Sequence, residues 1–150
     1  MDYECARLIE LYNTEKMEFI RDFHGFDYEY IVSRIEDIVH ELTNIDIINQ
    51  EPIYITKSAA IGLKEPVRSD AWVDDSPPTK QYGNRLFTVL FFLSEGEVTF
   101  PQVKLNHKMK AGDALVWNNV VEAGRVIDSI NQVSNDTYYI KKWVREKPFV

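Results

Sequence analysis

The chain has 150 residues, with 17 Lys and Arg against 24 Asp and Glu, a formal charge of -7, 45% apolar residues and one cysteine. That is one domain, residues 1–150, large enough for a buried core; its acidity excludes a nucleic-acid binder relying on clustered Lys and Arg, and the lone Cys5 excludes an internal disulfide or CxxC site. The acidic start Met1-Asp2-Tyr3-Glu4 and the lack of a run near the ~20 apolar residues of a membrane span predict a soluble, untargeted chain or a piece of a longer precursor.

Two helices are expected first. Thr14 is placed as the cap of one that carries Met17, Ile20 and Phe23 on a single face, with Glu15 and Glu18 in its first turns. The second is expected from about Asp27 to Leu42, where Ile31, Ile35, Ile38, Val39 and Leu42 form one apolar stripe opposite Glu29, Arg34, Glu36, Asp37 and Glu41. From Pro52 the period changes to that of strands. Ile53 to Thr56 is a short strand, and Leu86 to Leu93 is a continuous apolar run of the kind buried on both faces. Ser94 to Glu97 reads as a turn, Val98 to Phe100 as a strand, Lys110 to Asp113 as a turn, Ala114 to Trp117 and Tyr138 to Val144 as strands. Lys64 to Asn84 and Asn118 to Thr137 read as long polar loops. The predicted fold is mainly β with covering helices: a jelly roll with the N-terminal helices packed on one sheet.

No GxSxG, P-loop or GxGxxG occurs, which removes the common nucleophile and nucleotide-binding signatures. His24 is placed at the end of the first helix, His40 on the polar side of the second and His107 in a Lys-rich turn, and none has a partner at metal-ligand spacing. Asp70, Asp74 and Asp75 lack the alternation and glycine of a calcium loop and read as a solvated acidic loop. Lys141 and Lys142 fall on opposite faces of their strand, one inward and one outward, and the sequence leaves open which.

The second half resembles a known family. Gly83 to Ser94, Thr99-Phe100-Pro101, Lys110 to Asn119 and Lys142-Trp143-Val144-Arg145-Glu146 are similar, in order and spacing, to the catalytic domain of the prolyl 4-hydroxylase alpha subunit, one of the 2-oxoglutarate and Fe(II) dioxygenases. The resemblance implies a double-stranded β-helix whose open end holds iron, with 2-oxoglutarate and ascorbate as further cofactors. Iron there needs an H-x-D pair and a distal histidine. Reading on from Pro66 puts Val67-Arg68-Ser69 at the H-x-D pair, and one inserted residue gives Arg68-Ser69-Asp70, which supplies only the carboxylate. The distal Ser-Leu-His triplet corresponds to Ser129-Ile130-Asn131, so Arg68 and Asn131 stand where histidines are expected and Asp70 is the only surviving candidate metal ligand. The 2-oxoglutarate lysine falls at Thr137, within Asn135-Asp136-Thr137-Tyr138, and a cofactor-pocket tyrosine at Ser58. Thr88 and Trp143 match pocket-lining positions and are equally compatible with a core.

These departures predict a prolyl 4-hydroxylase-like domain that is catalytically degenerate, binds neither Fe(II) nor 2-oxoglutarate, and acts by binding a peptide or protein partner rather than a nucleic acid or membrane. The alternatives are an active dioxygenase hydroxylating prolyl residues and a jelly roll that binds a small ligand or sugar. The expected compartment is cytoplasmic for a complete chain and the secretory pathway for a fragment of a typical family member. An ion pair between Arg68 and Asp70, joined by Asn131, is expected where the metal would sit.

Overall fold

The computed structural model describes residues 2–15, 19–20, 26–70, 81–119 and 130–149. Two helices, α1 (Asp2–Glu15) and α2 (Phe26–Thr43), precede a single 3-10 turn at Ile47–Asn49. Around them run β1 (Phe19–Ile20), β2 (Ile53–Lys57), β3 (Arg68–Ser69), β4 (Arg85–Phe92), β5 (Gly96–Phe100), β6 (Leu105–Met109), β7 (Ala114–Asn118), β8 (Ile130–Val133) and β9 (Tyr138–Arg145).

The strands form two antiparallel sheets, ordered β1-β2-β9-β4-β7 and β3-β8-β5-β6. Pairing is nested, since β2 joins β9, β3 joins β8, β4 joins β7 and β5 joins β6. Alternation of side chains along β4 and β9 supplies both sides of the larger sheet. Val89, Phe91, Leu93, Ile140 and Val144 pack under the helices with Ile31, Ile35, Val39, Leu8 and Cys5. Leu90, Phe92 and Tyr139 face the smaller sheet, against Val98, Phe100, Met109 and Val133. The apolar run of β4 is thus buried on both sides, as its composition predicts.

Helix α2 follows its predicted stripe through Ile31, Ile35 and Val39, whereas Leu42 is half-exposed as the chain turns away. Asn44, in the left-handed region at φ 56, ends it by donating its backbone N–H to the His40 carbonyl. The first helix differs from expectation. It begins twelve positions before the predicted Thr14 cap, so Thr14 lies in its last turn and Ile20 belongs to β1. Cys5 and Leu8 are its buried anchors, at the i, i+3 spacing of one helix face, with Ile9, Leu11 and Tyr12 packed beside them. Met17, Glu18, Phe23 and His24 lie outside the described residues.

Both long polar stretches also contain strands: β3 lies in the first and β8 in the second. Their sequences look loop-like because β3 has only two residues and β8 carries polar Asn131 and Gln132. His107 sits in β6, paired with Val98 of β5, and not in a turn. Among the described residues, no helix is long and apolar enough to cross a membrane.

Candidate functional site

The side chains of β9 that face the smaller sheet are Tyr139, Lys141 and Trp143, and their register partners on β4 are Phe92, Leu90 and Thr88. Asp70, just after β3, and Asn131 of β8 reach the same space from the other sheet. The Lys141 ammonium donates to Asp70 Oδ1 at 3.0 Å and to Asn131 Oδ1 at 2.8 Å. The other Asp70 oxygen accepts from the Thr88 hydroxyl at 2.8 Å, and Asn119 Nδ2 donates to that hydroxyl at 2.8 Å. All five residues are buried, with relative exposures of 3% or less. Burial lowers the Lys141 pKa, and the adjacent Asp70 carboxylate opposes that shift.

A second ionic cluster flanks the first. Arg85 grips both oxygens of buried Glu51, at 2.7 and 2.9 Å, and Arg145 Nε donates to the same carboxylate at 2.8 Å. The Arg85 guanidinium also lies 3.8 Å from the centre of the Trp143 ring and reaches the Asp70 carbonyl at 3.5 Å. It therefore joins the two clusters. Trp143 Nε1 and Asn119 Oδ1 are buried without a hydrogen-bond partner among the described residues.

The structure brings Asp70, Asn131, Thr88 and Trp143 to one inter-sheet face. It corrects three expectations. Asp70 is buried, not part of a solvated loop, because Lys141 and Thr88 satisfy its charge; Asp74 and Asp75 lie outside the described residues. Arg68 does not pair with Asp70: its side chain is 47% exposed and points to Glu65 Oε1 at 3.7 Å. Lys141 and Lys142 are both buried, because α2 covers the face that would otherwise meet water. Lys142 donates to the Glu51 carbonyl and lies 3.8 Å from Glu36 of α2.

The expected 2-oxoglutarate positions are also brought together. Thr137 donates its backbone N–H to Ser58 Oγ at 2.9 Å, and Ser58 N–H donates to the Thr137 carbonyl at 2.9 Å. Gly96 packs so closely that a Cβ there would lie 2.7 Å from Thr137 Cγ2. The sequence reading missed Lys141, Asn119 and Arg85 as members of the site. A lysine at every-other-residue spacing with Tyr139 and Trp143, in a strand of a two-sided core, was the available signal for Lys141.

The residues present do not fit ferrous iron. Among the described residues no three His, Cys, Asp or Glu side chains converge as metal ligands. Asp70 and Asn131 already converge on an ammonium, and each added unit of positive charge some 4 Å from it would cost about 4 kcal/mol at an effective dielectric of 20. The Asn131 amide is a weak ligand in place of an imidazole.

Two helices on one of two nested antiparallel sheets, with a polar cluster between the sheets, make a fold similar to that of solved prolyl 4-hydroxylases. The chain is similar to viral collagen prolyl hydroxylase vCPH from Paramecium Bursaria Chlorella virus-1, in a truncated form, at TM-score 0.73 and 22% identity over 97% of this chain and 85% of that one. It also resembles a Pseudomonas putida prolyl-4-hydroxylase, at TM-score 0.59 and 11% identity over 97% of this chain and 87% of that one. In sequence it is similar to prolyl 4-hydroxylase subunit alpha-1 of Homo sapiens, 29% identical over 123 residues, 78% of this chain and 23% of the relative. The Caenorhabditis elegans subunit alpha-1 is 26% identical over 153 residues, 91% of this chain and 26% of the relative. The chain thus spans about a quarter of the length of these curated relatives. No protein-family model matches it.

Proposed function

We propose that residues 1–150 form one prolyl 4-hydroxylase-like domain, a double-stranded β-helix or jelly roll, that has lost iron and 2-oxoglutarate chemistry and acts by binding a peptide or protein partner. The nested strand pairing supports the jelly roll. The observation that carries the loss of chemistry is the Lys141 ammonium held between Asp70 and Asn131, two of the positions that the resemblance assigns to the metal. Thr137 and Ser58, bonded to each other where a lysine and a tyrosine are expected, add support, since neither offers a cation to a dicarboxylate.

The test is made on the purified chain. Elemental analysis is expected to find no stoichiometric iron, and incubation with 2-oxoglutarate, ferrous ion, ascorbate and a proline-rich peptide is expected to yield no succinate. Fluorescence anisotropy with the same labelled peptide, and co-purification of partners, measure binding without turnover. Stoichiometric iron together with turnover that an Asp70→Ala variant loses overturns this reading in favour of an active dioxygenase.

A further inference from the structure

The acceptors around Lys141 are set from behind by groups other than Lys141. Asp70 Oδ2 is held by the Thr88 hydroxyl, which is itself held by Asn119, and the Asp70 main chain is touched by Arg85. Asn131 is held by backbone pairing of β8 with β3, in register with Arg68. One carboxylate and one amide oxygen therefore face a common point in the buried interior, and the Lys141 ammonium stands there. The net charge of that arrangement suits a monocation. Burying an ion pair brings little stability relative to an apolar pair of the same size, so its presence points to a role in position rather than in strength. The ammonium ties the end of β3 and strand β8, both in the smaller sheet, to β9 in the larger one.

We propose that Asp70 and Asn131 form a monocation site that is closed by a tethered ammonium, and that the site takes a small primary alkylammonium ion from solution once Lys141 is shortened. This deepens the reading of a domain without iron and rests on it for its meaning: the ammonium closes to any second cation the place where the resemblance puts the metal. Cutting Lys141 back to alanine removes Cγ, Cδ, Cε and Nζ, which are the heavy atoms of n-propylammonium.

The experiment follows the thermal midpoint of the full Lys141→Ala chain by circular dichroism while n-propylammonium chloride is added, with sodium chloride and 1-propanol as controls. The variant is expected to melt well below the wild type and to recover most of that loss in a saturable manner with the amine, while the wild type does not respond. No rise with the amine, or an equal rise with 1-propanol, overturns the proposal, the second because the alcohol fills the space without bringing charge. If Lys141→Ala does not fold, a cycle of Lys141→Met, Asp70→Asn and their double variant decides. A double variant that melts above either single supports the site, and additive losses overturn it. Stoichiometric iron together with turnover in the wild-type chain sinks the proposed function, whereas failed amine rescue in a protein without iron or turnover sinks only this inference.

Discussion

Lys141 and Lys142 are consecutive in β9, and both ammonium groups are buried, on opposite faces of one sheet. Lys141 meets Asp70 and Asn131 between the sheets; Lys142 meets the Glu51 carbonyl and Glu36 beneath α2. Two adjacent buried cations are tolerable only because each face carries its own acceptors. The pair therefore makes the stability of the domain depend on pH in the alkaline range.

Burial lowers the Lys142 pKa from 10.5 to about 8 and lowers that of Lys141 as well. Between these values the unfolded chain holds more protons than the folded one, so stability rises with pH from about 8 towards 10, by about 3 kcal/mol for Lys142 at full extent. Burial raises the Tyr139 phenol, which stays protonated in the folded state while the unfolded one ionises, so the trend reverses above pH 10. Urea denaturation at half-unit steps from pH 7 to 11 should trace this maximum, and stability falling steadily from pH 8 would contradict it.

Glu51 accepts from Arg85 and Arg145 in a buried cluster, so Glu51→Ala leaves two guanidinium groups without their carboxylate. The expected loss is about 3–5 kcal/mol, as for a broken buried pair. Arg68→Ala, which removes a largely exposed side chain 3.7 Å from Glu65, is expected to cost about 0–1 kcal/mol. Equal losses in denaturant unfolding would place Arg68 in the interior after all.

Thr88 both donates to Asp70 and accepts from Asn119. Thr88→Val keeps the shape and deletes both bonds, leaving buried polar atoms unsatisfied at a cost of about 1–3 kcal/mol each. Thr88→Ser, which keeps the hydroxyl, should recover most of the chemical stability, and if it does not, packing rather than hydrogen bonding explains the loss.

Gly83 sits at φ +73 with an added Cβ only 2.5 Å from Glu146 Cβ, whereas Gly62, at φ +93, has nothing within 4 Å. Gly62→Ala is expected to show backbone strain alone, about 1–2 kcal/mol, and Gly83→Ala that strain plus the overpacking of about 1–3 kcal/mol. Calorimetry of the two variants compares the sites directly, and a Gly83→Ala loss no larger than that of Gly62→Ala would show that Glu146 moves aside.

The sequence by itself determined the parts that follow from local period and turn chemistry. The stripe of Ile31, Ile35 and Val39 located α2, the run from Leu86 to Leu93 located the central strand, and Lys110 to Asp113 located a turn that closes with Asp113 Oδ2 accepting from Lys110 N–H. The blocks from Gly83 to Glu146 also carried the resemblance, and Asp70, Asn131, Thr88 and Trp143 do reach one face. The tertiary structure alone decided the short strands β3 and β8, whose two and four residues carry too little period to read and are fixed by pairing with partners far along the chain. It also decided which cation meets Asp70. Arg68 is near in sequence and Lys141 is 71 positions away, but β3 is an edge strand that leaves Arg68 in water, while β9 lies inside a two-sided core and has nowhere to send Lys141 except to a buried carboxylate.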